Sequence, residues 1–495
     1  MRILMLGWEF PPFIAGGLGV ACYGLTKALD RMGHEVVFIL PKPVDRSHTS
    51  HVKMLSPVTL AARLAAGSRA SDGSPVPTDS LDLLDEAGQP LMGFQHAVFR
   101  GVPASFTSPY PGFDPANFLA LTGMQPSEAA SQLAGLSGAV DPSQADHNPG
   151  DTRPLEGSAH TANPMPAATG FIGDGGGPGV GYGMDLVGDS ERYARLVVAL
   201  TRHERYDVIH AHDWLTYPAG IALSKVSGKP LVVQVHSTEF DRAGNNVNQR
   251  VYDIERAGMH AADRVLAVSQ LTKSICVRRY SVPATKVDVV YNGVDRETAQ
   301  PPTGVRIESS DRIVLFLGRI TMQKGPEYFI AAAKRVLEKV QDVKFVLAGS
   351  GDMALRMIEL AASMGIGHKV LFTGFLRGRD VERVFRMADC YVMPSVSEPF
   401  GIAALEAISH DVPVILSKTS GASEVLTHVL KVDFWDIDEM ANKIIAVLRH
   451  PPLSATLRHH GSFELHRLTW EGAATRCGES YVKAIEGRMA GTRTK

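Results

Sequence analysis

Apolar and polar residues follow two alternating patterns along the chain. Short apolar runs, such as those at 3–7, 35–40 and 344–348, are followed by longer segments in which apolar residues recur every three or four positions. The short runs are typical of buried parallel strands, and the longer segments are typical of amphipathic helices. Strands that alternate with helices predict parallel sheets with helices on both faces. Because the alternation occurs in two blocks, we expect an α/β protein with two sheets.

One segment of the first block breaks this pattern. Residues 101–180 contain 13 glycines and 11 prolines, with seven acidic residues and a single basic one, Arg153. Such a segment has too few aliphatic residues to offset the entropy lost on ordering. We therefore expect a disordered or loosely ordered insertion over about 105–188, followed by a helix over 190–200. A lid, a partner-binding loop and a tolerated excursion remain open as its role.

The segment 397–407 is the most informative part of the second block. An apolar run at 390–394 precedes it, and a helix is predicted from Ile402 to Ser409. A turn with a proline and Gly401 joins the two. A chain that enters a helix through such a turn points free backbone N–H groups outward, here those of Phe400, Gly401 and Ile402. The sequence predicts an anion site at this helix start.

Two carboxylates flank the predicted anion site. Glu398 lies just before the turn, and Glu406 lies one helical turn after Ile402. Beside a bound phosphate, carboxylates make sense as acceptors of hydrogen bonds from sugar hydroxyls. The simpler interpretation is a pair of solvated acids around a helix start.

Two cations follow an earlier apolar run of the second block. Arg319 is the last residue of the predicted strand at 314–319, and Lys324 comes five residues later. Open α/β sheets bind their ligands at the carboxyl ends of strands. Arginine offers a fixed fork of donors and lysine a point charge, which together suit a diphosphate.

Glu398, seven residues and Glu406, with an upstream Gly-Arg-x4-Lys-Gly at 318–325, resemble the retaining nucleotide-sugar glycosyltransferases of family 4. The resemblance covers most of the chain apart from the insertion. It implies the GT-B fold, in which two Rossmann-like domains face each other across a cleft. It also implies a metal-independent, retaining transfer of a hexose from a nucleoside diphosphate sugar to a carbohydrate or other hydroxyl acceptor. Arg319, Lys324 and Glu398 would then be catalytic, while Glu406 would hold the ribose.

The resemblance sets the expected domain boundaries. Pro301-Pro302-Thr303-Gly304 reads as a linker, so we expect a first, acceptor domain over 1–298 and a donor domain over 299–465. A final helix over 466–495 would cross back to brace the first domain.

A second polar run, His210-Ala211-His212-Asp213-Trp214, ends a predicted strand. Two histidines and an aspartate suggest a metal, but the histidines are two residues apart and lack a further obvious ligand. Structural histidines are the simpler interpretation. The run resembles the same segment of bacterial starch synthases and family 4 enzymes, which implies that His212 contacts the transferred sugar. His236, at the end of the next strand, would line the acceptor side.

Glycines mark the remaining donor contacts. Gly16 and Gly17 join the first strand to its helix, where backbone can approach a ligand closely; a plain tight connection is the alternative. The resemblance places them against the donor phosphates. However, Ala15 stands where ADP-glucose-dependent starch and glycogen synthases usually have lysine, which counts against such a synthase.

The segment 349–354 matches the dinucleotide pattern G-x-G-x-x-A. The next predicted strand, 370–376, offers no acidic residue to bind a ribose, so this match gives only weak support for an oxidoreductase. Under the family resemblance, Gly351 lies near the phosphates, and the backbone around Phe375 and Leu376 holds the nucleobase.

We expect no metal site and no cofactor. Asp436-Ile437-Asp438 spells the D-x-D triplet of metal-dependent glycosyltransferases, but it precedes a helix, where capping is the better explanation. The four cysteines are far apart and form no C-x-x-C pair, so neither zinc nor disulfides are indicated. The helix predicted over 251–262 carries Glu255 among its exposed charges.

Composition and net charge limit the classes of binding partner that we expect. The 495 residues carry a formal net charge of −2, so no general attraction to nucleic acid or to an anionic membrane follows. The first apolar run is too short for a signal peptide and no stretch approaches a transmembrane span, so we expect a cytoplasmic protein. The oligomeric state stays open.

Four rival functions are compatible with this architecture. They are a disaccharide phosphorylase, a glycogen- or starch-synthase-like α-glucan glucosyltransferase, a sugar-nucleotide epimerase and a non-enzymatic sugar-nucleotide-binding scaffold. An epimerase would not need the paired glutamates. The presence of both cations and both carboxylates argues against a scaffold.

Overall fold

The computed structural model describes residues 1–10, 16–41, 97–101, 186–295, 311–376 and 378–493. The predicted insertion lies outside the described residues, except for its last three. These belong to a helix that begins at Leu186, whose side chain is fully buried. The predicted start of this helix at 190 was therefore wrong by four residues. The predicted linker at 301–304 is also outside the described residues.

The first half contains a sheet of seven parallel strands in the order β3-β2-β1-β4-β5-β6-β7. The strands are β1 (Arg2–Leu6), β2 (Glu35–Leu40), β3 (Ala97–Gly101), β4 (Val208–His212), β5 (Leu231–Val235), β6 (Arg264–Ala267) and β7 (Val287–Val289). The helices are α1 (Gly17–Arg31), α2 (Leu186–Leu200), α3 (Tyr217–Ser227), α4 (Glu239–Ala243), α5 (Gln249–Ala261) and α6 (Gln270–Tyr280).

The second half contains a sheet of six parallel strands in the order β10-β9-β8-β11-β12-β13. The strands are β8 (Arg312–Leu317), β9 (Val343–Ala348), β10 (Val370–Gly374), β11 (Cys390–Met393), β12 (Val414–Ser417) and β13 (Leu430–Val432). The helices are α7 (Pro326–Leu337), α8 (Ala354–Ser363), α9 (Arg379–Met387), α10 (Ile402–Ser409), α11 (Ala422–Val425), α12 (Ile437–Arg449) and α13 (Pro451–Glu464). The predicted α/β architecture with two parallel sheets is confirmed.

The last helix, α14 (Trp470–Arg493), packs on the first half. Its buried residues share a core with α1 and β1, and an ideal Cβ on Gly24 of α1 would lie only 2.1 Å from the Trp470 ring. Only a glycine at that position lets the two helices approach so closely. The hydroxyl of Tyr481 lies 2.8 Å from Nδ1 of buried His210 in β4.

Each sheet has one point where the strand order reverses direction. In the first sheet it lies between β1 and β4, and in the second between β8 and β11. Loops that leave the carboxyl ends of such strands diverge, so a crevice forms where ligands bind. Gly16, Arg319 and Glu398 each follow one of these four strands, and His212 is the last residue of β4.

None of the helices that the structure describes is both long and apolar enough to cross a membrane.

Candidate active site

The mouth of α10 is shaped by the turn that connects it to β11. Gly401 has φ of +104°, and an ideal Cβ there would lie 2.8 Å from Cε of Met393 and 3.2 Å from Cγ of Glu398. A side chain is therefore disfavoured twice, by the backbone conformation and by the lack of space. Within the described part of the chain, the N–H groups of Phe400, Gly401 and Ile402 donate to no protein acceptor. The turn thus presents several open donors at one helix N-terminus.

Lys324 and Glu398 form an ion pair beside this mouth. Nζ of Lys324 donates to Oε2 of Glu398 at 2.6 Å, and Oγ of Ser395 donates to the same oxygen at 3.1 Å. The two charged side chains are only 20% and 9% exposed. Among the described residues, no group donates to the other oxygen of Glu398. One carboxylate oxygen therefore holds the ammonium while the second remains available.

The loop that carries both cations packs directly on the α10 turn. Arg319 donates to Oε1 of Gln323 at 3.1 Å, and the Gln323 carbonyl accepts from the N–H of Val396 at 2.9 Å. Gly325 has φ of +63°, and an ideal Cβ on it would lie 2.3 Å from the Pro394 carbonyl oxygen. The structure therefore pairs Lys324 with Glu398 and packs the loop that carries Arg319 on the same turn.

Gly351 lies against this loop. An ideal Cβ on it would lie 2.2 Å from the carbonyl oxygen of Ile320, which also accepts the N–H of Met353 at 3.0 Å. The glycine is required because two loops at adjacent strand ends pack backbone to backbone. This packing gives the dinucleotide-like pattern at 349–354 a structural explanation.

Three further predicted donor contacts lie around the same edge of the second sheet. Glu406 is half-buried in the second turn of α10, and burial raises its pKa to about 7. Phe375 and Leu376 follow β10 and are half-buried, and Leu376 packs against the core cluster that includes Phe400.

His212 and His236 face each other in the first half. Nδ1 of His212 lies 2.9 Å from Nε2 of His236, and His212 is fully buried. Asp213, in a left-handed conformation with φ of +57°, accepts the N–H of His236 at 2.7 Å and so fixes that residue. Burial lowers the pKa of His236 to about 3 and that of His212 well below its usual value. Both imidazoles are therefore neutral at physiological pH.

A cysteine that the sequence did not connect with these histidines lies beside them. Sγ of Cys22, in α1, and one ring nitrogen each of His212 and His236 all lie within 4.8 Å of one another. Cys22 is 190 residues away from His212 and 214 residues away from His236 in the chain, and no C-x-x-C spacing marks it. Only the adjacency of β1 and β4 brings them together.

Gly16 and Gly17 begin α1, whereas Ala15 lies outside the described residues. No described residue lies within 4 Å of an ideal Cβ on Gly17. The packing of the described residues therefore does not require a glycine at 17.

Two residues from the segments that were considered as metal sites, Asp436 and His210, have structural roles. The carboxylate of Asp436 accepts the N–H of Glu439 at 2.9 Å, so the first residue of the D-x-D triplet caps α12. His210 is fully buried against Tyr481, as a structural histidine would be.

The prediction that Glu255 is an exposed charge was wrong. Glu255 is 2% exposed and forms ion pairs with Arg242, which also donates to Glu239 at 3.1 Å. Arg242 further donates to the carbonyl of Ser237 at 3.2 Å. This buried network fixes the segment after β5, and therefore the position of His236. Its partners come from different helices, so helical periodicity alone did not reveal it.

The two halves touch next to the candidate site. Oγ of Ser397 donates to Oδ1 of Asp241 at 2.6 Å, and α4 contacts the turn at Met322–Lys324. Nearby, the carboxylate of Glu424 accepts the N–H groups of Gln270 and Leu271 at 2.8 and 2.7 Å, at the start of α6. These contacts place the histidine side of the first half opposite the cation side of the second.

Comparison with known families divides the chain into three matching segments. Residues 2–133 match the starch synthase catalytic domain, residues 178–298 match glycosyltransferase family 4, and residues 302–462 match the glycosyl transferases group 1. The last segment contains all the cations and carboxylates of the candidate site.

Individual proteins similar to this chain include a glycosyltransferase and a glycogen synthase. An uncharacterised glycosyltransferase of Methanocaldococcus jannaschii is 35% identical over 238 residues, which cover 46% of this chain and 61% of that protein. Glycogen synthase of Mycobacterium tuberculosis is 23% identical over 98% of this chain and 96% of its own. The solved structure of HepE from Anabaena in complex with UDP-glucose has a TM-score of 0.59 at 16% identity, with 97% of this chain and 99% of that chain covered.

Proposed function

Because the chain belongs to the group 1 glycosyltransferases with the GT-B fold, we propose a specific reaction for it. The protein transfers a hexose from a nucleoside diphosphate sugar to a carbohydrate or other hydroxyl acceptor, with retention of the anomeric configuration and without a metal ion. The observation that carries this proposal is the buried pair of Lys324 and Glu398 next to the open N–H groups at the start of α10.

The difficult step is the departure of the diphosphate from the anomeric carbon, because negative charge builds up on the leaving group. Lys324, Arg319 and the N–H groups of Phe400, Gly401 and Ile402 stabilise that charge in place of a divalent cation. Their positions are fixed in advance by the packing of 319–325 on the α10 turn. Preorganised donors need no rearrangement as the charge develops.

The sugar and the nucleoside are held by neighbouring groups. Glu398 accepts hydrogen bonds from sugar hydroxyls through the oxygen that Lys324 does not use. Glu406 accepts from the ribose hydroxyls, and the backbone at Phe375 and Leu376 holds the base. Gly16 and Gly17 allow the donor phosphates to approach the first half, since no described residue lies within 4 Å of an ideal Cβ on Gly17.

The first half supplies the opposite wall of the cleft. His212 orients the transferred sugar ring, and His236 lines the acceptor side. Both rings are neutral, so they act as hydrogen-bonding groups rather than as cations competing with Lys324 for the diphosphate.

An α-glucan is the acceptor class with specific support, because the glycogen synthase match spans nearly the whole chain. The alanine at position 15 in place of a lysine weighs against ADP-glucose as its donor.

A donor screen tests the proposal. UDP-, GDP- and ADP-sugars are added singly, and the shift in melting temperature identifies the donor that binds. Transfer to maltooligosaccharides or simple sugars is then followed, and proton NMR gives the anomeric configuration of the product. Binding without transfer or hydrolysis supports a scaffold instead. Activity that requires free phosphate supports a phosphorylase, and an inverted product contradicts the retaining mechanism.

A further inference from the structure

The Cys22–His212–His236 cluster has a chemistry that the proposed function does not use. A thiol and two imidazoles are the ligands that zinc prefers in proteins. Typical Zn–S and Zn–N bonds of about 2.3 and 2.0–2.1 Å place the ligand atoms roughly 3–4 Å apart around one ion. The three candidate ligand atoms here already lie within 4.8 Å of one another. A single ion can therefore reach all three with small side-chain adjustments.

His212 supplies a second, independent observation. Its side chain is fully buried and Nδ1 faces His236, yet Nε2 has no hydrogen-bond partner among the residues that the structure describes. Leaving a buried polar atom without a partner costs about 1–3 kcal/mol. The atom therefore indicates that a ligand for this histidine is missing from the protein itself.

The surroundings of the cluster favour a cation. Glu9 is 4% exposed, and Glu9 and Asp213 are carboxylates that act electrostatically on Cys22. Their negative field stabilises a dication bound at the cluster.

We propose that Cys22, His212 and His236 form a binding site for a soft divalent cation, with zinc as the preferred ion. Three protein ligands leave the fourth tetrahedral position for water. His236 is only half-buried, so the ion reaches the cluster from the cleft side. Magnesium and manganese prefer oxygen ligands and should bind poorly.

Binding has a defined proton balance. The Cys22 S–H bond breaks, a sulfur–zinc bond forms, and one proton is released to the buffer. The hydrogen bond between the two imidazoles breaks, zinc binds Nε2 of His212 and one ring nitrogen of His236, and each ring carries its single proton on its other nitrogen. One proton per zinc is therefore released.

The ion would occupy the same His212 that the proposed function assigns to the donor sugar. Zinc should consequently inhibit transfer, and this consequence, unlike binding itself, rests on the proposed function. Zinc that binds to the cluster without inhibiting leaves the site intact and removes His212 from the proposed mechanism.

The test measures binding directly on the full chain. Competition between the protein and a chromophoric chelator gives the zinc stoichiometry and affinity, with one equivalent bound expected. Cys22→Ser and His236→Gln should each weaken binding at least about 100-fold, since even second-shell partners contribute 10–100-fold. Cys276→Ser is the matched control, because Cys276 is equally buried but lies outside the cluster. It should bind like the wild type.

Cobalt provides a test on the unmodified protein. A thiolate–cobalt charge-transfer band and tetrahedral ligand-field bands should appear with one equivalent of Co²⁺ and vanish on addition of zinc. Calorimetry in buffers of different ionisation enthalpy should report one proton released. The absence of the charge-transfer band in wild-type protein overturns the proposal, even if Cys22→Ser fails to fold. Zinc binding that is unchanged in folded Cys22→Ser overturns it as well.

Discussion

At the scale of single residues, Lys324 and Glu398 stand out because they are charged and largely buried. The desolvation of such a pair costs several kcal/mol per ion unless good geometry compensates it. A well-packed apolar pair could replace it at little cost to stability. The retention of charges here is consistent with use on a ligand.

Replacing Lys324 with alanine should lower turnover by roughly 10²–10³, the range found for other lost charge-stabilising donors. Arg319→Ala should have a similar effect. Lys339, which is exposed on the same half, supplies the control. Steady-state kinetics with the identified donor measures the turnover of each variant, after circular dichroism has shown that the variant folds. Wild-type rates in both cation variants would remove these residues from the mechanism.

The raised pKa of Glu406 predicts that donor binding depends on pH. Burial raises its pKa to about 7, so the group is protonated in acid and ionised above that pH. Only the ionised form accepts hydrogen bonds at both oxygens, and the donor Kd should therefore fall as pH rises through about 7. In Glu406→Gln this dependence should disappear. Asp213 has a pKa raised to a similar value by burial, so a dependence unchanged in Glu406→Gln would assign the effect to Asp213 instead.

Sequence reasoning predicted candidate site residues where local spacing marks them. The cations after β8 and the glutamates around α10 lie within short motifs. Cys22 was missed because its neighbours are distant in sequence, and Glu255 was placed on the surface because Arg242 belongs to another helix. Both errors concern pairs of residues that only tertiary structure joins.

At the scale of elements, the start of α10 depends on one backbone conformation. Gly401→Ala forces a side chain into φ of +104° and against Met393. Strain of this kind costs about 1–3 kcal/mol. Thermal unfolding should show the loss, and donor affinity should fall because the open N–H groups move.

Gly478→Ala is the control for this substitution. Gly478 lies in α14, and an ideal Cβ there meets no described residue within 4 Å. Alanine should therefore stabilise the helix by up to about 1 kcal/mol. A Gly401→Ala protein with wild-type stability and donor affinity would show that the turn is not the anion site.

A helix whose start is marked by turn residues was predicted well from the sequence. The bounds of α10, from Ile402 to Ser409, are those predicted, because the turn residues before the helix fix its start. The start of α2 at Leu186 was missed because the Gly- and Pro-rich composition extends almost up to it. Composition averaged over many residues does not locate the first residue of a helix that begins beside a Gly- and Pro-rich segment.

At the scale of the whole molecule, contacts between the two halves fix how the walls of the cleft are placed relative to each other. Glu424 of the second half accepts two N–H groups at the start of α6 in the first half, in the manner of a helix cap. Glu424→Ala should therefore cost about 1 kcal/mol, or on the order of 1 °C in melting temperature for a chain of this size. Glu424→Gln keeps one carbonyl acceptor and should lose less. An unchanged melting temperature in Glu424→Ala would mean that this contact does not hold the halves together.

The alternation of strands and helices predicted both sheets, but it carried no information on how they face each other. That arrangement depends on side chains such as Ser397 and Asp241, which meet only once both halves have folded. The family resemblance, rather than periodicity, supplied the expectation of a cleft.

The central claim is that protein cations and a helix N-terminus, not a divalent ion, neutralise the leaving diphosphate. The most direct test measures transfer from the identified donor in excess chelator, before and after addition of manganese. We predict the same rate in both conditions, with the loss of roughly 10²–10³ appearing only when Lys324 is removed. Activity that disappears in chelator and returns with manganese would contradict the claim.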